Sequence, residues 1–534
     1  MRCALLFPPS MPPTSPPCGI AYLKAFLGSG KNFDLNLAYH DILVDLAPDI
    51  PGIEGEPENL KEAVAFLKRG TNFYDPDQYN DHISVFFEFF NSIYPYIQKE
   101  SIKYITDSAD DSIVSLFEKM LSPLRTYHPD IVGFSQLMLP QREPIMALAH
   151  AVKACDIPVV LGGASLWYNP EAYLSCVNHI DLSQIFDVIV YGEGEIPLKL
   201  LMQGKPLEHI PGIIYNSHTL IKNERECIHD LDEIPCPDFT DFPLTEYYSP
   251  QIVLPLLTSR GCYWGKCTFC THHKSYNIYR SNSIEYVIST IKTLQKKYNA
   301  SYFLIADEMV HPHRFEQLAS TIQKEGLMIR MYSEAKPTSQ VTLPLLQNMY
   351  AAGVRVLLWG VESGTQRILD LMEKGTTVSE IESLLRHSNA AGIWNMVFMM
   401  VNYPTQTIKE SEHDIQFLQK NAPYIHTVTR SPFQLQVGSH MYENPEKFGI
   451  THIEPADQFS PVCEYSTRHA PESDLPAGSL AISDVPSYPG ISLKDYLSKK
   501  YAVECIVLSD ISWYFGKMRD HLLLYADFLS DDPL

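Results

Sequence analysis

Long hydrophobic runs are missing from this chain. Nowhere in its 534 residues does an apolar stretch approach the ~20 residues that a membrane-spanning helix needs. Positive charge is scarce as well. Against 63 Asp+Glu stand 41 Lys+Arg, a formal charge of −22. That balance argues against broad binding to nucleic acid or anionic membrane, both of which reward cations. A secretory leader is not expected: Ala4-Leu5-Leu6-Phe7 is too short, runs into Pro8-Pro9, and reads as a buried first strand. No Gly-x-Gly-x-x-Gly follows that strand, which disfavours a dinucleotide site, and no internal repeat is visible.

What is present fits a large globular protein. Hydrophobic residues make up 45% and charged residues 19%, and the length suggests about three domains. The eleven cysteines are an odd number and mostly scattered (Cys3, Cys18, Cys155, Cys176, Cys227, Cys236, Cys463, Cys505). Only one group is tight: Cys262, Cys267 and Cys270. A reducing cytoplasm is therefore expected, with the trio holding a metal.

Residues 1–235 read as an open α/β sheet. Short apolar strands are expected at Cys3–Phe7, Phe33–Leu37, Ile131–Phe134, Val159–Leu161 and Val188–Val190, alternating with helices such as Ile20–Leu27 and Pro144–Ala154. A helical insertion at about 57–125, rich in aromatics over Ile83–Ile97, reads as a cap packed on the sheet. Ligands of such sheets bind beyond the carboxyl ends of the strands. The residues expected there are Pro12–Pro17, Ser135, Gln136, Gly162, Gly163 and Tyr191-Gly192-Glu193-Gly194-Glu195.

The trio lies in Ser259-Arg260-Gly261-Cys262-Tyr263-Trp264-Gly265-Lys266-Cys267-Thr268-Phe269-Cys270, after the apolar strand Ile252–Leu257. Three thiolates so close can wrap one soft centre, either zinc or an iron–sulfur cluster. A zinc site would take His272 or His273 as its fourth ligand. In a [4Fe–4S] cluster, three cysteines leave one iron open to a cofactor or substrate. Behind the trio, strands (Tyr302–Ile305, Met328–Tyr332, Arg355–Trp359, Asn395–Val401, Ile425–Thr429) alternate with helices (Ile284–Leu294, Phe315–Lys324, Leu343–Ala352, Gln366–Met372, Ile408–Lys420). Six β/α units predict a partial (β/α)6 barrel over 236–450, with functional residues at the carboxyl ends of its strands.

The words Pro129-Asp130-Ile131-Val132-Gly133-Phe134-Ser135, Val159-Val160-Leu161-Gly162-Gly163 and Tyr191-Gly192-Glu193-Gly194-Glu195 resemble the cobalamin-binding domain found ahead of many radical S-adenosylmethionine (SAM) enzymes. The trio, Ala306-Asp307-Glu308 and Gly360-Val361-Glu362-Ser363-Gly364 resemble motifs of that superfamily, and the likeness covers roughly residues 1–450. It implies that Cys262, Cys267 and Cys270 ligate a [4Fe–4S] cluster. It implies SAM contacts from Phe269, Asp307, Glu308, Glu334, Gly360, Glu362 and Ser363. It implies cobalamin contacts from Ser135, Gln136, Gly162, Gly163, Tyr191, Gly192 and Glu193. The Asp-x-His-x-x-Gly word that brings a histidine to cobalt elsewhere is absent, so the resemblance implies cobalamin held without one, or lost.

Two departures from the family pattern stand out. The first cysteine spacing is one residue longer than the usual C-x3-C-x2-C, an insertion that Gly265 can absorb as a bulge. In Asn402-Tyr403-Pro404-Thr405-Gln406-Thr407, similar to Gly-x-Pro-Gly-Glu-Thr, Thr405 and Gln406 replace Gly and Glu.

The reaction implied is reductive cleavage of SAM to a 5′-deoxyadenosyl radical, with cobalamin transferring a methyl group to an unactivated carbon of a peptide or small molecule. The partner implied is a low-potential electron donor of flavodoxin or ferredoxin type. The alternatives are radical chemistry without cobalamin, and a zinc-stabilised binding protein without catalysis. His311, His313, Arg280 and Lys374 read as surface residues or structural hydrogen-bonders. Residues 451–534 match no known pattern; Pro471–Pro489 reads as a linker and Leu497–Leu529 as one or two helices, a helical extension.

Overall fold

The computed structural model describes residues 1–467 except 10, 51–56, 70–75, 178, 250 and 277. The linker and the helices expected beyond 467 lie outside the described residues. The chain divides into two compact units, the first comprising 1–69, 81–248 and 458–460, the second 70–80, 249–457 and 461–534.

In the first unit, strands β1 (Cys3–Phe7), β2 (Lys31–Asp34), β3 (Ile131–Ser135), β4 (Val159–Gly162) and β5 (Val188–Val190) pair in parallel in the order 2-1-3-4-5. Their apolar, β-branched residues are buried on both faces, as parallel strands flanked by helices require. The strand order reverses between β1 and β3, so the crevice beyond their carboxyl ends is the natural ligand site of this topology. An antiparallel hairpin, β6 (Ile213–Ser217) and β7 (Thr219–Lys222), extends the sheet on the β5 side; the sequence reading did not include it.

One expected strand is shorter than anticipated. β2 stops at Asp34 because its carboxylate accepts from the Leu37 amide and caps the helix Leu35–Leu46. Leu35 and Leu37 are thus helical. The insertion is helical as expected, in Pro57–Arg69, Pro76–Ile105 and Asp111–Tyr127. Its Phe86 and Phe90 pack with Tyr39 and Tyr248 around buried His40.

The second unit is built on six parallel strands in sequential order: β8 (Val253–Leu256), β9 (Tyr302–Ile305), β10 (Arg330–Ala335), β11 (Val354–Glu362), β12 (Trp394–Val401) and β13 (Thr427–Pro432). At least one helix joins each neighbouring pair, as parallel strands require. The helix Ile284–Tyr298 buries Val287, Ile288, Ile291 and Leu294, the stripe its periodicity predicts. Val253, Tyr302, Tyr332, Val356, Trp394 and Met396 form one core layer. Between β11 and β12 the chain also holds the helix Val378–Ala390, started by a Thr377–Glu380 capping box, which the sequence reading missed.

The described start of the 451–534 segment is not helical. Ile450–Ile453 pairs with Tyr465–Thr467 and Leu435–Gln436 with Val462–Cys463, both antiparallel. Ile450 and Cys463 complete an apolar cluster with Met372, Tyr403 and Phe433.

Candidate active site at the carboxyl end of the barrel

The site starts where the chain leaves β8. Thr258 and Ser259 are held by Asp307, two residues beyond the end of β9. The Asp307 carboxylate accepts from the Thr258 amide (2.6 Å), Thr258 Oγ1 (2.7 Å) and Ser259 Oγ (2.6 Å). Burial pushes this carboxyl up, and those hydrogen bonds pull against it. Asp307 was expected to meet SAM; instead its lone pairs are committed to the chain, and it fixes the take-off of the cysteine loop. Ser259–Arg260 then pairs antiparallel with Arg280–Ser281, so the loop is closed at its base.

Two glycines shape the loop. Gly261 (φ +82°) passes Ile278 so closely that a Cβ would sit 3.1 Å from its carbonyl oxygen. Gly265 (φ +61°) takes the left-handed turn that accommodates the additional residue between Cys262 and Cys267. The loop is laid along the segment after the helix Gln366–Leu371. The Thr268 amide donates to the Met372 carbonyl (3.0 Å) and Thr268 Oγ1 to that of Leu371 (2.9 Å). Trp264 Nε1 donates to the Glu373 carbonyl (3.0 Å), and Gly375 comes so close to the indole that a Cβ there would stand 2.2 Å from Cζ2. Phe269 packs against the cluster of Met372, Met400, Tyr403 and Phe433.

The three thiols are half-buried, unpaired and within electrostatic reach of one another. Burial pushes Cys270 up to about 12 and raises Cys267, which the Lys374 charge pulls back. Burial thus opposes ionisation of Cys267 and Cys270 until a metal binds them. Among the described residues no three His, Cys, Asp or Glu side chains gather tightly enough for a single ion. A cubic cluster makes no such demand, because its ligand sulfurs stand apart at separate corners. His272, the fourth ligand a zinc site would require, is mostly exposed and turns its Nδ1 to Glu308 Oε1 (3.2 Å).

Charged groups surround the thiols. Glu308 Oε2 is buried without a hydrogen-bond partner, and its charge is felt at Cys270. On β11, a bulge between Gly360 and Glu362 puts Glu362 at φ +68°. Its Oε1 accepts from Lys374 Nζ (2.7 Å), while Oε2 is buried and unpartnered. Burial works against the Lys374 ammonium, but Glu362 and Cys267 outweigh it and hold the lysine above its ordinary value. Gly360 makes room for this pair: a Cβ there would stand 2.8 Å from Nζ and 2.9 Å from Oε1. Lys374 is thus a buried ion-pair partner of the site and not a surface residue.

Other expected residues lie differently. Ser363 donates to Asp414 Oδ1 (2.8 Å), which also accepts from the Gly364 amide (2.6 Å). Ser363 is therefore committed to shaping its own loop. Glu334, at the end of β10, is exposed. Two residues, Asp414 and Lys336, escaped the sequence reading. Asp414 anchors the β11 loop. Gln406 donates to Asp414 Oδ2 (2.7 Å), where the family's Glu would set carboxylate against carboxylate. Buried Lys336 lies 4.1 Å from the Trp264 ring centroid.

The first unit presents its own candidates at the carboxyl ends of β3–β5. Ser135 is half-buried beside Gly19. Gln136 is fully buried; its Oε1 accepts from Tyr173 OH (2.9 Å), and its Nε2 has no partner. Gly163 (φ +122°) admits the Gln136 backbone to a distance no Cβ would allow, and Gly162 packs on Val190. Tyr191 OH donates to the Asn223 carbonyl (2.5 Å), and Glu193 accepts from the Ile228 amide (2.9 Å). Gly192 (φ +111°) packs on Arg225. Tyr191 and Glu193 thus hold the 223–228 strand-to-loop segment in place.

The six parallel strands and the cysteine loop at their carboxyl end resemble the layout of a radical SAM domain. Residues 256–418 match the family model described as the radical SAM superfamily, an enzyme family that uses a [4Fe–4S] cluster and SAM. Over 338 residues the chain is 25% identical to an uncharacterized methyltransferase of Pyrococcus horikoshii, covering 60% of this chain and 70% of that protein. It is 26% identical over 317 residues to the anaerobic magnesium-protoporphyrin IX monomethyl ester cyclase of Rubrivivax gelatinosus, covering 55% of each; the chain thus spans about half the length of that cyclase. In fold it resembles TsrM from Kitasatospora setae, a radical SAM methyltransferase whose structure holds cobalamin and a [4Fe–4S] cluster. The TM-score is 0.59 at 15% identity, over 99% of this chain and 100% of that one.

Proposed function

We propose that this protein is a cobalamin-dependent radical SAM enzyme that transfers a methyl group to an unactivated carbon of a peptide or small molecule. The observation that carries the reading is the closed three-cysteine loop at the carboxyl end of a six-stranded parallel barrel, with two buried, half-satisfied carboxylates beside it. Bound there, the cluster and SAM supply one-electron cleavage of the sulfonium, and cobalamin supplies a methyl carrier.

The chain's own residues bind, orient and shield. Cys262, Cys267 and Cys270 would hold the cluster as its three protein ligands. Glu308 Oε2, buried without a donor, would accept from the SAM ammonium, a charge-assisted hydrogen bond. Glu362 Oε2 would accept from the ribose, with Lys374 fixing the carboxylate through its other oxygen. Gly360 and the Phe269 backbone would line the adenine, and Glu334 stands at the barrel rim. Asp307 and Ser363 act as positioning residues. In the first unit, Ser135, the Gln136 amide, Gly162, Gly163 and the Tyr191-Gly192-Glu193 turn form the corrinoid crevice, with no histidine offered to cobalt. A flavodoxin or ferredoxin type donor supplies the electron, in the reducing cytoplasm that eleven mostly scattered cysteines suit.

Anaerobic reconstitution tests this reading. The expected outcome is about four irons per chain, corrinoid retained through desalting, and conversion of SAM to 5′-deoxyadenosine under a low-potential reductant. Cys267→Ala should abolish that conversion. One zinc per chain, or unchanged turnover by the variant, refutes the assignment. Four irons with no corrinoid leaves radical chemistry but removes the cobalamin step.

A further inference from the structure

Two lysine ammoniums lie buried beside the cysteine loop, and they differ in one respect. Lys374 is neutralised by Glu362 at 2.7 Å. Lys336, just past the end of β10, is 2% exposed and, among the described residues, has no carboxylate within ion-pair distance. Its Nζ donates to the Gly375 carbonyl (3.3 Å) and lies over the Trp264 ring. Trp264 belongs to the loop itself, between Cys262 and Cys267, and is held by its own hydrogen bond to Glu373 and by the close approach of Gly375. The ammonium is thus fastened to the loop, within electrostatic reach of Cys262, Cys267, Lys374 and Glu380; burial and Lys374 push it down to about 8, so it carries its charge below that pH. A third lysine, Lys266, approaches the same ring at 5.2 Å from the solvent side, where water screens it.

We propose that Lys336, seated on Trp264, is a positioning residue of the redox site: a buried ammonium with no ion-pair partner among the described residues, which raises the reduction potential of the [4Fe–4S] cluster. This inference rests on the radical SAM reading of the loop. Three thiolates give an oxidised cluster a net charge of −1 and a reduced one −2. One electron enters from a low-potential donor, and no atom or bond changes. A neighbouring cation favours the more negative state, and it does so strongly only where water does not screen it. Lys336 meets that condition and Lys266 does not. The additional residue in the cysteine spacing has a use here as well, since Gly265 turns the loop so that Trp264 can face Gly375 and Lys336.

The test is a potentiometric titration of the reconstituted full chain, followed by the electron paramagnetic resonance signal of the reduced cluster, with iron content measured on each sample. Lys336→Met is expected to hold about tenfold less reduced cluster at any fixed potential, a midpoint 59 mV lower for one electron. Lys336→Arg should keep the parental midpoint, and Lys266→Met should leave it nearly unchanged. Lys336→Gln is measured beside Lys336→Met. A fully loaded neutral variant with the parental midpoint overturns the proposal, as does an equal shift in Lys266→Met. If neither neutral variant carries a cluster while Lys336→Arg does, the lysine serves folding and the proposal fails. If the parent chain itself binds no cluster, it is the radical SAM reading that has failed.

Discussion

Removing the Lys374 ammonium leaves the Glu362 carboxylate buried without its counter-charge. The two side chains are 5% and 8% exposed and meet at 2.7 Å. Glu362 Oε2 has no other donor to fall back on. Breaking a buried pair by deleting one partner costs about 3–5 kcal/mol, whereas replacing both by apolar side chains of similar volume is often near neutral. Lys374→Met should therefore cost about 3–5 kcal/mol, and Lys374→Met/Glu362→Met should recover most of that loss. Urea unfolding of the metal-free chain, followed by tryptophan fluorescence, reads this directly, because fully buried Trp359 lies on the same strand as Glu362. A loss below about 1 kcal/mol in the single variant, or strictly additive effects in the double, would refute the reasoning.

Two further outcomes follow from the barrel loops. Arg367 grips Glu410 with two hydrogen bonds of 2.6 Å and, with the Thr407 cap, pulls its carboxyl down to about 2. The resulting stability is present above the unfolded carboxyl value and is lost as pH falls from about 4.5 toward 2. Because Arg367 is half-exposed, it amounts to about 1 kcal/mol after screening, and Glu410→Gln should flatten that part of the acid limb in a pH series of melts. Thr405 stands at φ +68° where the family motif has Gly. Thr405→Gly relieves a β-branched residue in the left-handed region and should raise stability by about 1 kcal/mol in the same urea assay; a decrease would show that its contacts to Arg367 outweigh the strain.

The parallel strands were legible because each is a short, β-branched apolar run bounded by turn residues. The barrel order was legible because each strand is followed by a helix-period stretch. What escaped notice depended on neighbours rather than on pattern. Phe33–Leu37 looks like one strand, but the Asp34 carboxylate ends it after its fourth residue. The β6–β7 hairpin turns at His218, which takes φ +63° without the glycine that marks such turns. The Val378–Ala390 helix carries a Thr-x-x-Glu cap that was there to be read. Within the site, Asp307 and Glu308 are adjacent and chemically alike. Only the placement of Thr258 and Ser259 decides that the first serves the chain and the second is left with a free oxygen. Lys336 and Trp264 meet through the fold alone, which no local motif announces.

The base of the cysteine loop is fastened by ordinary polar contacts: Asp307 at its departure, and the short ladder of Ser259–Arg260 with Arg280–Ser281 across its mouth. The entropy of ring closure is therefore met during folding and not at the moment of metallation. An incoming inorganic core has only the rim of an existing ring to order, so its capture should depend on thiol ionisation more than on a search by open chain.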